Sequence, residues 1–312
     1  MNKKSPGVLA IAAALALSVG WSVAGRAQFD IGRLIKAATP VSQKAEIKMG
    51  KGIAANLLGA APPVADQALQ GYINKIGTWL ALQTEKPDLP WRFAILDTDS
   101  VNAFAVPGGY VFVTRGMLLL MRDESELAGT LAHEISHVVE RHALKTMRKG
   151  NWAGVAGDAL NAVAEGKGGQ EFDKLINVGT EIYSRGLDKK DEFAADVRGA
   201  VIAARGGYDP YGLVAMLQSF ASINPQDDAV VLMFKTHPDP EERMDRLLAY
   251  VDENLQKYGA QPNNAERFAQ VMRTHMAQYK PVARAARRTE GDGTPDDEKS
   301  EAIKTIAPIF SQ

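Results

Sequence analysis

Residues 123–147 read DESELAGTLAHEISHVVERHALKTM and contain three of the five histidines of the chain. Asp123 and Glu126 stand in the relation of a capping box ahead of an apolar stripe, which predicts a helix of about 25 residues. Positions four apart on an α-helix differ by only about 40° in azimuth. His133 and His137 therefore face the same way and can offer two imidazole nitrogens to one metal ion.

Two other side chains on this helix have different predicted roles. Glu134 lies about 100° round the helix from His133, so it reaches the flank of a bound ion instead of ligating it. There it can act as a base toward water that the ion activates. His142 follows His137 by five residues, which on a continuous helix turns it to the other side and predicts a structural role.

A zinc site that activates water needs a third protein ligand. One class of zinc peptidase has a third His six residues after the second, with a Gly between, but here those positions are Ala143 and Glu140, which excludes that class. A downstream carboxylate is then expected. Glu192 and Asp196 share a helix face, so Glu192 can ligate while Asp196 hydrogen-bonds a ligand imidazole. By spacing alone, Glu181 is a rival to Glu192.

Composition limits the other possibilities. The chain has 312 residues, of which 46% are hydrophobic and 23% charged, the balance of a chain that folds around a core. The formal net charge is −1, so no nucleic-acid partner is expected. The absence of cysteine excludes disulfides, thiolate ligands and a thiol nucleophile, so a metal site must use His, Asp or Glu.

The first 27 residues have the pattern of a secretory signal. Basic residues precede an apolar block over 8–19, which is shorter than the roughly 20 residues that span a bilayer. Gly25 and Ala27 are small residues suited to a cleavage site. We expect cleavage near Ala27, a periplasmic location and no transmembrane span in the mature chain; an uncleaved N-terminal membrane anchor is the alternative. Peripheral membrane association and the oligomeric state stay open.

The remaining segments predict an α+β, mainly helical fold with a small antiparallel sheet beside the histidine helix. A strand is predicted at 91–96, and a hairpin joins 103–106 to 110–114 through Pro107-Gly108-Gly109. Further helices are predicted at 42–58, 64–84, 171–205 with a break near Gly186, 210–220, 240–258 and 264–279. The catalytic domain is expected over 28–258, and a C-terminal helix with a disordered tail over 259–312. The Gly- and Ala-rich stretch from Gly150 to Gly169 either gates the site or forms a passive loop.

At these motifs the chain resembles the gluzincin metallopeptidases of family forty-eight, which include HtpX, BepA, LoiP, Oma1 and the CAAX prenyl protease. The resemblance covers about 41–250: the motif from His133 to His137 matches the family's zinc motif, and Glu192 to Asp196 matches its Glu-x-x-x-Asp. It implies a zincin-like metalloprotease domain with one zinc ion per chain, held by His133, His137 and Glu192. The strand Asn102-Ala103-Phe104 resembles the family's strand before the active-site helix and is expected to bind substrate.

Thr236-His237-Pro238 followed by Arg243 resembles a further element of that family. By analogy, His237 either hydrogen-bonds the oxyanion or occupies the open zinc position in a resting state, and Arg243 orients it or stabilises charge. The simpler alternative is a loop histidine and an arginine paired with Glu242 or Asp239.

The resemblance implies a zinc-dependent endopeptidase with Glu134 as its catalytic base. Its expected substrates are extended or unfolded polypeptides, as in quality control of misfolded envelope proteins. The alternative function is a catalytically silent peptide-binding or chaperone-like module with the same metal-site fold.

Overall fold

The computed structural model describes residues 41–148 and 186–279. The helices and strands of these two ranges, in chain order, are α1 (Gln43–Ala60), α2 (Gln67–Ala81), β1 (Arg92–Leu96), β2 (Ala103–Val106), β3 (Tyr110–Thr114), α3 (Arg115–Leu120), α4 (Glu124–Val139), α5 (His142–Met147), α6 (Lys189–Arg205), α7 (Tyr211–Ala221), α8 (Val231–Thr236), α9 (Pro240–Asn254), a 3-10 helix (Gln256–Tyr258) and α10 (Ala265–His275). The predicted α+β, mainly helical fold is confirmed.

Five predicted features lie outside the described residues. They are the signal over 1–27, the stretch from Gly150 to Gly169, the part of the predicted helix from 171 to 185, the rival ligand Glu181 and the tail over 281–312. Within the described ranges, no helix combines the length and the apolar character that crossing a bilayer requires.

The three strands form one mixed sheet in the order β1-β3-β2. The hairpin of β2 and β3 is antiparallel, as predicted, with Phe104 opposite Phe112. However, β1 lies parallel to β3, so the prediction of a wholly antiparallel sheet was wrong. The cause is the segment 97–102, which passes the end of β3 before β2 begins. There the Asn102 carbonyl accepts a hydrogen bond from the Thr114 N–H at 3.0 Å.

Both faces of this sheet are covered by apolar side chains. Successive residues of a strand point to opposite faces, and on β3 Val111 packs with α2 and α4 while Phe112 packs with α1 and α5. Gly108 and Gly109 at the hairpin turn have φ of 83° and 99°, a region that favours glycine.

Helix α4 is the centre of the molecule. It begins as predicted, with the Asp123 side chain accepting a hydrogen bond from the Glu126 N–H at 2.9 Å, and all 16 of its residues are buried. The helix ends earlier than predicted, at Val139, because Arg141 adopts the left-handed conformation (φ 57°, ψ 39°) and a new helix begins at His142.

The C-terminal helix α10 packs against the start of α4. The Glu124 side chain, which is fully buried, pairs with Arg267 of α10 and accepts a hydrogen bond from the Tyr72 hydroxyl at 2.7 Å. Phe268 of α10 is buried in the same core. These contacts anchor the helix that carries the two histidines.

Helices α4 and α6 approach each other closely at Gly199. A Cβ atom at this position would lie 2.9 Å from the backbone nitrogen of His133 and 3.1 Å from its Cα. Because these are backbone atoms, they cannot move aside as a flexible side chain could. The missing side chain therefore allows α6 to bring its carboxylates up to the histidines.

We predict that Gly199→Ala lowers the free energy of unfolding by about 1–3 kcal/mol, because the added methyl overpacks the α4–α6 contact. Gly71→Ala on α2 is the control. Its Cβ meets open space, and alanine favours a helix by about 0.5–1 kcal/mol over glycine, so this variant keeps or gains stability. Urea unfolding followed by circular dichroism measures both. Wild-type stability in Gly199→Ala would contradict the close approach.

Candidate metal centre

Four side chains from three parts of the fold meet at one point. His133 and His137 come from α4, Glu192 from α6 and His237 from the turn after α8, and one ligand atom from each lies within 4.8 Å of the others. The Nε2 atoms of His133 and His137 are 2.9 Å apart. Glu192 Oε2 is 3.6 Å from the first of these nitrogens, and Glu192 Oε1 is 3.4 Å from the second.

This arrangement fits a zinc ion. Zinc bonds of about 2.0–2.2 Å at tetrahedral angles place ligand atoms about 3.3–3.6 Å apart, which matches both carboxylate–imidazole separations, while the two imidazole nitrogens lie closer. Glu192 Oε1 is buried and has no hydrogen-bond partner. A buried carboxylate oxygen of that kind is costly unless a cation lies beside it. Nitrogen and carboxylate ligands without thiolates suit zinc.

The charge on Glu192 is fixed by its surroundings. Burial raises the pKa of this carboxyl, but the neighbouring His237 and the Arg243 guanidinium outweigh burial and hold the pKa well below its usual range. Arg243 Nη1 lies 3.0 Å from Glu192 Oε2. Burial also holds the pKa of His137 well below its usual value. The site therefore presents an anionic carboxylate and a neutral imidazole, the forms that bind metal.

His133 is held by the second carboxylate of α6. Its Nδ1 lies 2.9 Å from Asp196 Oδ1, the arrangement in which a carboxylate orients a ligand imidazole. Burial lowers the pKa of His133, but the Asp196 and Glu192 carboxylates outweigh burial and raise the pKa to about 9. A cation that binds here must therefore compete with a proton at neutral pH.

Arg243 of α9 holds both carboxylates. Its Nε and Nη2 donate to the two carboxylate oxygens of Asp196 at 2.8 and 2.7 Å, a bidentate pair. The residue is 3% exposed. Burial lowers the pKa of Arg243, but Asp196 and Glu192 outweigh burial and raise it. The guanidinium is thus engaged by these buried acids instead of by Glu242 or Asp239, the partners considered from the sequence.

Glu134 and His237 face each other across the site. His237 Nε2 lies 3.7 Å from Glu134 Oε1 and 3.3 Å from the Ala103 carbonyl oxygen, and His237 Nδ1 lies 2.9 Å from Glu192 Oε2. Glu134 is 2% exposed. Burial raises the pKa of its carboxyl, against the opposing charges of His237 and His133. A raised pKa makes this carboxylate a better acceptor of a proton.

The predicted substrate strand borders the site through two of its three residues. The Ala103 carbonyl faces His237, and Phe104 stacks on Phe112 with ring centroids 5.2 Å apart. Asn102 is buried, and its side-chain oxygen accepts the N–H of Ala103 at 3.0 Å. Beside Glu134 and His137 opens a cleft with mostly apolar walls, formed by Phe104, Val106, Pro107, Val138 and Leu187.

His142 lies against His137, a contact that the sequence did not reveal. The two Nδ1 atoms are 2.7 Å apart. A continuous helix would have turned His142 away, but the left-handed Arg141 reverses its direction. Glycine or asparagine usually signals such a conformation, and an arginine carries no such signal.

Comparison with known proteins agrees with this geometry. The model of Peptidase family M48 matches residues 67–251. The "Beta-barrel assembly-enhancing protease" of Yersinia pestis is 31% identical over 221 residues, covering 69% of this chain and 45% of that protein. The protein of the same name from Escherichia coli (strain K12) is 30% identical, covering 64% of this chain and 42% of that protein. The "Mitochondrial metalloendopeptidase OMA1" of Arabidopsis thaliana is 26% identical, covering 59% and 36% respectively.

This chain thus spans less than half the length of these relatives. The matched family region nevertheless covers more than half of the chain and includes both the histidine motif and the Glu192–Asp196 pair. The predicted resemblance is confirmed: the chain belongs to peptidase family M48.

Proposed function

We propose that this chain is a zinc-dependent endopeptidase in which His133, His137 and Glu192 hold one zinc ion. The observation that carries the proposal is the position of Glu134, a buried carboxylate that lies 3.7 Å from His237 Nε2 and lines the same cleft as His137. Membership of a peptidase family supports it, as do relatives named as metalloendopeptidases and proteases. A purely structural metal site would have no use for a base in this position.

Bound zinc would act as a Lewis acid toward water and the scissile carbonyl. Glu134 then removes a proton from the attacking water at Oε1 and delivers it to the nitrogen of the leaving amine. His237 donates from Nε2 to the oxyanion that forms on the substrate carbonyl. Asp196 and Arg243 do not touch substrate in this scheme: Asp196 orients His133, and Arg243 keeps Asp196 and Glu192 charged and in place.

The substrate in this proposal is an extended polypeptide lying along β2. Main-chain hydrogen bonds to a strand edge, beginning at the Ala103 carbonyl, bind many sequences equally. The apolar cleft next to His137 takes one substrate side chain. Both features favour unfolded segments, and the relatives named for β-barrel assembly favour misfolded envelope proteins as the natural substrates. We place the mature chain in the periplasm, after cleavage near Ala27.

Glu134→Gln should bind zinc like the wild type while losing about 10²–10⁴-fold in kcat/KM on unfolded casein, because the ligands remain and the base is lost. Glu241→Gln is the control, since it makes the same change at an exposed carboxylate and should leave turnover unchanged. Zinc content and casein degradation, each with and without chelator, measure both. Unchanged turnover in Glu134→Gln would refute the mechanism, and a wild type that binds unfolded casein without cleaving it would favour the silent peptide-binding module.

Zinc binding should release about one proton per ion at pH 7. The pKa of His133 is about 9, so the ring carries a proton at pH 7 that the metal must displace. Apparent zinc affinity should therefore rise by about tenfold per pH unit between pH 6.5 and 8.5. Calorimetry in buffers of different ionisation enthalpy measures the proton count, with His275→Gln, a histidine outside the site, as a control that changes nothing. Zinc binding without proton release would contradict the charge state of His133.

A further inference from the structure

The two histidines of α4 differ in what their second ring nitrogen contacts. His133 Nδ1 lies beside the Asp196 carboxylate, whereas His137 Nδ1 lies 2.7 Å from Nδ1 of His142. Zinc-ligating histidines almost always donate this N–H to a carboxylate, a backbone carbonyl or water. A second imidazole is therefore an unusual hydrogen-bond partner for the Nδ1 of a zinc-ligating histidine.

We propose that His142 is a positioning residue: it accepts the Nδ1 proton of His137 and so keeps Nε2 of His137 free to bind the metal. The inference rests on the proposed metal site but not on proteolysis. His142 contacts neither substrate nor metal in this assignment. It acts through the tautomer and the ring orientation of His137 alone.

The short distance between the two Nδ1 atoms allows one arrangement of protons when both rings are neutral. A single proton must lie between them, because two protons would clash and none would leave two lone pairs facing each other. If His137 presents the lone pair of Nε2 to the cluster with His133 and Glu192, its proton is on Nδ1. His137 is then the donor and His142 the acceptor.

The surroundings of His142 favour the same tautomer. With Nδ1 as acceptor, the proton of His142 is on Nε2, and that nitrogen lies 3.7 Å from Asp191 Oδ1. The distance is too long for a direct hydrogen bond, but the carboxylate still favours an N–H over a lone pair facing it. His142 is 1% exposed, so bulk water does not compete for its Nδ1.

The backbone break after α4 places the imidazole of His142 against that of His137. Arg141 takes the left-handed conformation, and its Nη2 lies 2.9 Å from Oε2 of Glu46, a buried residue of α1. This ion pair links the bend to α1, which packs on the face of the sheet opposite to α4. The acceptor is therefore held by the fold and does not depend on a mobile side chain.

The test compares two substitutions, one that keeps a hydrogen-bond acceptor at this position and one that removes it. Asparagine places its side-chain oxygen close to where the imidazole holds Nδ1, so His142→Asn keeps an acceptor for His137. His142→Phe keeps a flat ring and removes the acceptor. Zinc dissociation constants, measured by competition with a chromogenic chelator on the full chain, should rise about 10–100-fold for His142→Phe and stay close to wild type for His142→Asn.

Three outcomes separate this inference from its alternatives. Equal zinc affinity in His142→Phe and the wild type would overturn it, and so would an asparagine variant as weak as the phenylalanine variant, since packing alone would then explain the loss. A wild type that binds no zinc would instead overturn the proposed function. The metal-free melting temperature of each variant reports its packing separately from its metal affinity.

A second measurement does not depend on any variant folding. In zinc-loaded, ¹⁵N-histidine-labelled wild type, long-range proton–nitrogen correlation spectra should show His142 protonated at Nε2 and bare at Nδ1. They should show the proton of His137 on Nδ1. A proton on Nδ1 of His142 would make it the donor and overturn the assignment.

Discussion

The structure depends on keeping one carboxylate charged where no water reaches it. Glu192 is 0% exposed, and an ion buried this deeply is unfavourable by several kcal/mol unless the fold surrounds it with opposite charge and hydrogen-bond donors. Arg243 from α9 and His237 from the turn after α8 supply that surrounding, and the two α4 imidazoles complete it. These groups come from α4, from α9 and from the turn after α8, so the charged state of Glu192 depends on the tertiary packing of these elements.

Helix packing sets the positions of these groups before any ligand binds. Helix α4 is buried along its whole length, and Gly199 lets α6 lie directly against the backbone of His133. Asp196 then reaches His133, and the bend at Arg141 brings His142 to His137. The two imidazoles are thus oriented from opposite sides by parts of the same core. A metal site needs this preorganisation, because ligands on mobile loops would lose entropy on binding.

Local patterns in the sequence were sufficient to predict the start of the helix that carries the histidines and the face on which they lie. The capping residue Asp123 and the four-residue spacing of His133 and His137 depend only on helix geometry, which tertiary contacts do not change. The hairpin was equally predictable, because its double-glycine turn is a local signal. Selecting Glu192 from the acids of the chain required the family resemblance, since spacing alone left Glu181 open.

The features that could not be predicted from the sequence all depend on contacts between residues far apart in the chain. The path of 97–102 past the end of β3 decides whether β1 runs parallel or antiparallel to its neighbour. The alternation of apolar and polar residues in a strand does not depend on that path, so it could not predict the direction. The break at Arg141 is stabilised by an ion pair with Glu46, about a hundred residues earlier in the chain. The sequence around the break therefore contains no glycine or proline that would have predicted it. The contact between His137 and His142, and the pairing of Arg243 with Asp196 and Glu192, follow from such long-range packing.

In the proposed site, His133, His137 and Glu192 hold one zinc ion beside Glu134. Anomalous diffraction from crystals of the zinc-loaded chain, collected on both sides of the zinc absorption edge, would locate that ion. We expect one strong anomalous peak within bonding distance of both Nε2 atoms and of the Glu192 carboxylate. A peak held by other side chains, or no peak between these three residues, would show the ligand assignment to be wrong.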